Sequence, residues 1–245
     1  MKTAIIIPAR MASQRLPNKP MVKINGIPMI ERVWKQGINS KIGDVYVACS
    51  EDEVFDLITS KGGKAIMTDP NLPSGTDRIF AAFNLLKNKD DYESIINLQG
   101  DMPLIDSMNI QSVNIPLKNG YDIGTIATDI SSDEEKNKNI TKVSVDWKEA
   151  DVVGNSLDFY KFSKKKLTNI YQHVGIYSFK PIALRKFVSL PASKNEIDRK
   201  LEQLRAIDAG INIGITYVEN VPISVDTLED LILIESILKN RDEKK

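Results

Sequence analysis

The sequence has 245 residues, and its 33 Lys and Arg residues balance its 33 Asp and Glu residues, so the formal net charge is zero. General nucleic-acid binders and membrane-surface binders carry a basic excess, so this balance argues against nucleic acid and membrane as partners. The single cysteine, Cys49, excludes an internal disulfide and a cysteine-rich metal cluster. It ends the apolar run 45–48, which predicts a small core residue rather than a nucleophile. The lone histidine, His173, excludes any site that needs two.

The apolar start of the chain is too short for a signal peptide and lacks a small-residue cleavage site. No stretch approaches the roughly 18 apolar residues of a membrane-spanning helix. We therefore expect a soluble, cytoplasmic protein.

Strands and helices alternate over the first 120 residues. The predicted strands are 4–7, 44–48, 64–67 and 93–98, and the predicted helices are 28–39, 51–60, 75–87 and 107–118. This alternation predicts an α/β fold with a doubly wound, mostly parallel sheet.

The pattern changes from about residue 121. The predicted strands are 122–128, 142–146, 171–179 and 212–218, the predicted helices are 196–210 and 228–240, residues 131–139 are predicted as an exposed loop, and residues 151–170 are lysine-rich and poorly patterned. No repeat and no long linker interrupts the chain, so residues 1–245 are predicted to form a single domain.

Three prolines, two arginines and a lysine fall within residues 8–20, directly after the first predicted strand; we call this stretch the cationic segment. Proline fixes φ and removes a backbone donor, so the cationic segment is stiff without being helix or strand. Ligands of open α/β sheets bind at the carboxyl ends of the strands, where Arg10, Arg15 and Lys19 would grip a polyphosphate. The alternative is a solvated basic loop. The segment matches neither G-x-x-x-x-G-K-[ST] nor G-x-G-x-x-G, so side-chain cations would hold the nucleotide.

Two aspartates follow predicted strands. Asp101 comes after Gly100 in a tight turn, and Asp226 stands just before the last predicted helix. Two carboxylates at strand ends, with a basic segment in the same sheet, fit Mg²⁺ that bridges protein and phosphate and neutralises a pyrophosphate leaving group. The alternative for Asp226 is a helix cap. Thr227 and Asp230 are themselves predicted to cap that helix as a capping box.

Residues 74–78, Ser-Gly-Thr-Asp-Arg, are predicted to form a turn that feeds a helix. Their small side chains would let a flat ring approach backbone groups. The alternative is an ordinary N-cap, with Ser74 before an acidic first turn.

An ordered set of motifs along nearly the whole chain resembles the 3-deoxy-manno-octulosonate cytidylyltransferase (CMP-Kdo synthetase) family, within the sugar-nucleotidyltransferase superfamily. The motifs are IPAR (7–10), RLPNKP (15–20), NGIPMI (25–30), SGTDR (74–78), NLQGD (97–101), HVGIY (173–177), LEQLR (201–205) and VDT (225–227). Any one of them is weak, whereas the ordered set is specific. The resemblance implies attack of the sugar's anomeric hydroxyl on the α-phosphorus of CTP, with release of pyrophosphate.

The resemblance also implies roles for individual residues. It assigns the triphosphate to Arg10, Arg15 and Lys19 beside Pro8 and Ala9, the cytidine to Ser74, Gly75, Arg78 and Gln99, Mg²⁺ to Asp101 and Asp226, and the acidic sugar to His173, Tyr177, Glu202 and Gln203. Arg10, Arg15, Lys19 and Asp101 form the implied catalytic set. From the residues alone, Tyr177 would instead be a core aromatic and Glu202 part of a solvated helix face.

The family is commonly a homodimer. The resemblance implies a mainly nucleotide-binding half at residues 1–120, a sugar-binding and dimerisation region at 121–210, and a closing strand and helix at 211–245. Its partners would be CTP and an acidic sugar, in a pathway that makes lipopolysaccharide or another surface polysaccharide.

This sequence departs from the family pattern at several positions. Met102 replaces an acidic or amide residue, and Asn18 replaces a usual Gly. Lys164 lies in a segment, 160–164, that matches the family's motif only loosely, and Arg199 stands where Glu is common. Several departures fall in the part expected to meet the sugar, so a related acid, of the 8-amino-octulosonate or nonulosonate type, is an alternative acceptor. An alternative of another class is a nucleotide-binding protein without turnover.

Overall fold

The structure is a computed structural model that describes residues 1–12, 15–147, 153–162, 168–221 and 223–242. Its strands are β1 (Thr3–Pro8), β2 (Lys23–Ile24), β3 (Ile27–Pro28), β4 (Asp44–Cys49), β5 (Lys64–Met67), β6 (Ser94–Asn97), β7 (Ile123–Thr128), β8 (Lys142–Asp146), β9 (Val153–Tyr160), β10 (Ile170–Phe179) and β11 (Ile213–Tyr217). Its α-helices are α1 (Met29–Asn39), α2 (Asp52–Ser60), α3 (Gly75–Asn84), α4 (Ser107–Ser112), α5 (Ile115–Lys118), α6 (Ser132–Lys136), α7 (Pro181–Ser189), α8 (Lys194–Arg199), α9 (Leu204–Asp208) and α10 (Leu228–Asp242). The predicted α/β class is confirmed.

The chain forms two compact units. The first unit comprises the described residues of Met1–Tyr92, Asn97–Ile110 and Pro222–Lys245, and the second those of Glu93–Ile96 and Gln111–Val221. Each unit therefore draws on more than one stretch of the chain. The single-domain assignment of the sequence stays a prediction.

The first unit contains three parallel strands in the order β5–β4–β1. Residues 4–7 of β1 are fully buried, because helices pack against these strands and leave no face for solvent. Parallel strands bring their carboxyl ends to one edge. The backbone N–H of Ala9 donates to Ala48 O at 2.8 Å there, and the N–H of Thr68 donates to Cys49 O at 2.8 Å.

A tight hairpin follows the cationic segment in the first unit. Asn25 and Gly26 join β2 to β3 with positive φ at both positions, 45° and 78°, as a type I′ turn requires. The hairpin contributes to an apolar cluster whose fully buried members are Ile24, Met29, Val225 and Ile234. The cluster packs α10 and the residues before it against the hairpin. The last helix of the chain is thereby anchored beside the segment that follows the first strand.

The second unit is built on a mixed set of strands in the order β10–β7–β11–β9–β8. β11 pairs with β7 in parallel, whereas β10 with β7, β11 with β9, and β8 with β9 are antiparallel pairs. Because β8 also pairs with the start of β10, the set closes on itself. Among the described residues, every helix is too short or too polar to cross a lipid bilayer.

Several sequence predictions differ in detail from the structure. β9 lies inside the stretch 151–170, for which the sequence predicts no element, and α6 lies inside the predicted loop 131–139. The predicted helix 196–210 is two helices, because Lys200 adopts φ 56° and ends α8 in the left-handed region. The predicted helix 107–118 is likewise divided into α4 and α5.

Candidate functional site

A cavity of about 910 Å³ lies within the first unit, at the carboxyl edge of its strands. Its lining residues are Pro8, Ala9, Arg10, Ala12, Arg15, Lys19, Pro20, Gly75, Arg78, Gln99, Gly100, Asp101 and Asp226. A cavity of this volume accommodates a ligand of nucleotide size. All residues assigned to the triphosphate and to the metal line it, so the structure brings them together, while their roles stay predictions.

Lys19 connects the two aspartates. Its Nζ donates to Asp101 Oδ2 at 2.7 Å and to Asp226 Oδ1 at 3.0 Å. An Arg15 guanidinium nitrogen lies 3.0 Å from the same Asp226 oxygen. The cationic segment and the two aspartates therefore meet as predicted, whereas their binding of magnesium and a triphosphate stays a prediction. Because the Lys19 side chain is only 16% exposed, solvent screens this contact less than it screens a surface pair.

The chain places Asp226 through its backbone. The N–H of Val225 donates to the carbonyl oxygen of Asp101 at 2.9 Å. Asp230 Oδ2 accepts from the N–H groups of Asp226 and Thr227 at 2.9 and 2.8 Å, and Thr227 Oγ1 accepts from the N–H of Asp230. The predicted capping box is confirmed. Because Thr227 and Asp230 cap the helix and Asp226 lines the cavity, the alternative that Asp226 caps the helix is wrong.

Asn18 presents Lys19 to the cavity. It adopts φ 55° and ψ 31°, the left-handed conformation, immediately before the 3-10 turn Lys19–Met21. Glycine adopts this conformation at least cost, and Asn is among the side chains that tolerate it best. The departure from the family's usual Gly therefore keeps the same local backbone.

Gly75, Arg78 and Gln99 form the part of the wall assigned to the cytidine. Gln99 Nε2 donates to Asn97 Oδ1 at 2.9 Å, and Gln99 Oε1 would lie 3.8 Å from a Cβ at Gly75. The Arg78 guanidinium is 1% exposed and donates to Thr68 Oγ1 at 2.6 Å. This wall thus offers both an acceptor and a buried donor group.

Ser74 does not line the cavity. Its hydroxyl accepts from the N–H of Asp77 at 3.1 Å and lies 2.7 Å from Asp77 Oδ2 as a donor, so it caps α3. This is the ordinary N-cap that the sequence offered as the alternative. The role assigned to Ser74 at the cytidine stays a prediction.

Gly100 lines the cavity and was not among the predicted site residues. A Cβ built there would lie 2.9 Å from the carbonyl oxygen of Pro8, closer than real Cβ atoms approach a backbone oxygen. Glycine at this position therefore allows two strand ends to approach closely. A glycine between a strand and a polar residue is the signal that sequence reasoning had available.

The second unit brings together residues assigned to the sugar. The rings of His173 and Tyr177 lie 5.4 Å apart, although a regular strand would separate residues four apart by roughly 13 Å. An irregularity in β10 between Val174 and Tyr177 shortens this separation. Burial, and then the Glu202 carboxylate, raise the pKa of Tyr177, which indicates that Glu202 is near.

His173 is buried and held by one hydroxyl. Its Nε2 lies 3.0 Å from Thr125 Oγ1, which also donates to Ile176 O at 2.7 Å, so the ring nitrogen is the donor in the first contact. Burial lowers the pKa of His173 to about 3, so the ring is neutral at pH 7. Gln203 is also buried. The sugar-binding roles of these residues stay predictions.

The other departures from the family pattern are not among the lining residues of the cavity or fall outside the described residues. Met102 is 4% exposed and belongs to the core. Arg199 donates to both carboxylate oxygens of Asp158, at 2.6 and 2.8 Å, and so fastens α8 to β9. Lys164 lies outside the described residues.

Cys49 is fully buried, as the sequence predicted. Burial raises the pKa of its thiol to about 11, so the reactive thiolate is scarce at neutral pH.

The carboxylate pair fits a magnesium ion that is completed by a ligand. Over the part of the chain that the structure describes, no group of three or more His, Cys, Asp or Glu side chains is arranged to hold a metal. Mg²⁺ is usually bound by one or two carboxylates together with phosphate oxygens and water. Asp101 and Asp226, whose side chains are 28% and 41% exposed, match that donor set.

The parallel strands, the cationic segment and the paired carboxylates together define a nucleotide-binding α/β protein. A family model described as "Cytidylyltransferase" matches residues 4–213. The chain belongs to this cytidylyltransferase family.

Relatives and solved structures agree with this family. A 3-deoxy-manno-octulosonate cytidylyltransferase of Paramagnetospirillum magneticum is 42% identical over 238 residues, which cover 96% of this chain and 97% of the relative. One of Rickettsia rickettsii is 43% identical over 234 residues, 93% of each chain. A solved structure of CMP:2-keto-3-deoxy-manno-octonic acid synthetase complexed with CTP matches with a TM-score of 0.89 and 31% identity, covering 98% of this chain and all of that one. A 4-diphosphocytidyl-2C-methyl-D-erythritol synthase of Anaerococcus prevotii, at 11% identity and a TM-score of 0.67, shares the fold.

The buried neutral histidine predicts a specific acid sensitivity. An unfolded chain protonates histidine near pH 6.5, whereas the folded pKa of His173 is about 3. The unfolded state therefore binds an extra proton between these values, so this contribution to stability is complete above about pH 6.5 and falls toward pH 3. We predict that His173→Gln removes up to ~1.4 kcal/mol per pH unit from the slope of the unfolding free energy between about pH 6 and pH 4.

Urea titrations at several pH values measure this slope. Since His173 is the only histidine in the chain, no second imidazole contributes to the difference. Parallel pH profiles for the variant and the wild type would contradict the prediction.

Proposed function

We propose that this protein transfers CMP from CTP to 3-deoxy-manno-octulosonate, giving CMP-3-deoxy-manno-octulosonate and pyrophosphate. The observation that carries the proposal is the contact of Lys19 with both Asp101 and Asp226 in one cavity. Relatives that carry this activity in their names match nearly the whole chain at about 40% identity, for example 42% over 96% of it.

The charges around the cavity suit a triphosphate with one divalent cation. The lining carries four cationic side chains, Arg10, Arg15, Lys19 and Arg78, and two carboxylates, Asp101 and Asp226. The sum is two positive charges, whereas a fully ionised nucleoside triphosphate carries roughly four negative ones. One Mg²⁺ would bring the site close to neutrality, which supports magnesium dependence.

In the proposed reaction a sugar oxygen forms a bond to the α-phosphorus while the bond from that phosphorus to the bridging oxygen of pyrophosphate breaks. The hydroxyl proton leaves to solvent. Arg10, Arg15 and Lys19 would bind the triphosphate and hold the leaving pyrophosphate in line, which is where positioning and charge neutralisation lower the barrier. Asp101 and Asp226 would hold Mg²⁺. When bound, Mg²⁺ supplies charge neutralisation and lowers the pKa of the attacking hydroxyl.

The wall beside Gly75 supports cytosine as the base. A cytosine ring presents an amino donor on one edge next to ring-nitrogen and carbonyl acceptors. Gln99 Oε1 would accept from the amino group, because Gln99 Nε2 is already engaged with Asn97. The Arg78 guanidinium would donate to the acceptors. Gly75 leaves room for the ring to lie against the backbone.

The acceptor is proposed from the relatives' names, with a related acidic sugar as the alternative. His173, Tyr177, Glu202 and Gln203 would face it.

We also propose a cytoplasmic enzyme of surface-polysaccharide synthesis that works as a homodimer through residues 121–210. Exposed apolar side chains in that range, Leu157 at 53%, Ile182 at 76% and Ile197 at 63%, support a covered face. Sedimentation velocity measures the oligomeric state, and a monomer at all concentrations would contradict the homodimer.

Pyrophosphate release tests the reaction and the acceptor together. We predict that the protein releases pyrophosphate from CTP with 3-deoxy-manno-octulosonate, and that a chelator of divalent cations abolishes release until Mg²⁺ is restored. ATP, GTP and UTP are the matched nucleotide controls. Release only with another acidic sugar would move the acceptor to the alternative, and CTP binding without release for any acid would indicate a protein without turnover.

The carboxylate pair gives the sharpest test of the metal assignment. We predict that Asp101→Asn and Asp226→Asn each reduce kcat by about 10²-fold or more, because the hard anionic ligand is lost while shape is kept. Asp91→Asn is the control, since Asp91 pairs with Lys2 at an exposed surface. Urea unfolding checks that the variants fold. Near-normal rates in both site variants would show that these aspartates do not hold the metal.

A further inference from the structure

Glu51 is not among the residues that line the cavity, yet it contacts the cationic segment from a distant point of the chain. It occupies the N-cap position of α2, yet its side chain makes no capping hydrogen bond to that helix. Instead Glu51 Oε1 accepts from the backbone N–H of Met11 at 3.2 Å, across 40 residues of sequence. Met11 is flanked by Arg10 and Ala12, which both line the cavity. The carboxylate therefore fixes the backbone at the point where the segment presents its first cation.

The geometry of the strands explains why Glu51 reaches this point. β1 and β4 are parallel neighbours, so the residues that follow them emerge side by side at the same edge. Ala9 N–H already donates to Ala48 O at 2.8 Å, and the contact of Glu51 with Met11 continues this pairing beyond the strand ends. The hydrogen bond from Met11 to the Glu51 side chain thus follows the last backbone hydrogen bond between these two stretches.

The charge of Glu51 also matters, because two cations, Arg10 and Arg78, line the same cavity. Arg78 is 1% exposed, and its guanidinium donates only to neutral oxygens, Thr68 Oγ1 at 2.6 Å and Pro70 O at 3.5 Å, among the described residues. Burial lowers the pKa of Arg78, the Glu51 carboxylate opposes that change, and Arg10 adds to it by like-charge repulsion. Glu51 Oε2 is itself buried, with no hydrogen-bond partner in the described ranges. A buried carboxylate oxygen of this kind is tolerated where nearby cations offset its charge.

We propose that Glu51 is a positioning residue for the triphosphate: its carboxylate holds the cationic segment at Met11 and offsets the like charges of Arg10 and Arg78. This role rests on the proposed function, since it assumes that the cavity binds CTP. Glu51 does not line the cavity and acts through the residues that do. It fixes the positions of the cationic side chains before the nucleotide binds.

Two variants separate the hydrogen bond from the charge. Glu51→Gln keeps an acceptor oxygen for the Met11 N–H and removes the charge, whereas Glu51→Ala removes both. Glu53→Ala is the matched control, because Glu53 is exposed in the first turn of the same helix and its loss changes the net charge equally. Isothermal titration calorimetry with CTP and Mg²⁺, without a sugar, measures the nucleotide Kd directly.

We expect the CTP Kd to rise about tenfold or more in Glu51→Ala, as loss of a charge-assisted hydrogen bond implies, and by a smaller factor in Glu51→Gln. Glu53→Ala should match the wild type. In steady state the KM for CTP should rise in both Glu51 variants while the KM for the sugar stays constant, a split that a general loss of folding would not produce.

The outcomes distinguish this role from the proposed function. Wild-type protein that binds no CTP would overturn both. Wild-type binding with unchanged Kd in Glu51→Ala would overturn the role of Glu51 alone. Equal weakening in the two variants would overturn the contact with Met11, and a wild-type Kd in Glu51→Gln would overturn the contribution of charge.

Discussion

The ammonium group of Lys19 holds together three segments that are far apart in the chain. It touches Asp101, which is 82 residues away, and Asp226, which is 207 residues away, at 2.7 and 3.0 Å. Two carboxylates brought together in a partly buried place repel each other unless a cation stands between them, and the repulsion grows as solvent is excluded. Lys19 supplies that cation from within the chain. The same three side chains therefore hold distant segments of the first unit together, and they set the charge of its cavity.

The elements that position these groups are ordinary consequences of local sequence. Asn18 adopts the left-handed backbone conformation that precedes Lys19, Gly100 allows the turn before Asp101 to approach Pro8, and Thr227 and Asp230 cap the last helix. Each removes an obstacle that would otherwise keep a carboxylate or an ammonium from its place. The site is thus an outcome of turn and cap chemistry at the ends of parallel strands.

Most elements of the first unit can be predicted from the sequence, because local patterns determine them. A buried apolar run such as 4–7, followed by a proline-rich cationic stretch, indicates a strand and the edge at which it ends, and that edge fixes where Asp101 must be. The second unit was less readable because non-local pairing decides it. β9 offers no strong local pattern, but it is stabilised by β8 and β11 on either side. Lys200 ends a helix by adopting the left-handed backbone conformation, which the spacing of apolar side chains does not predict.

The charges of the second unit constrain what its predicted sugar-facing residues can do. Burial lowers the pKa of His173 to about 3, so the ring is neutral, and its Nε2–H donates a hydrogen bond to Thr125 Oγ1. Tyr177 is neutral as well, since burial and Glu202 raise its pKa. Neutral donors beside a carboxylate side chain suit hydroxyl groups, which both donate and accept, whereas the Glu202 carboxylate would repel a second carboxylate. If these residues face the sugar as predicted, they would bind its hydroxyl groups, and the cation that pairs with its acid group would have to come from other residues.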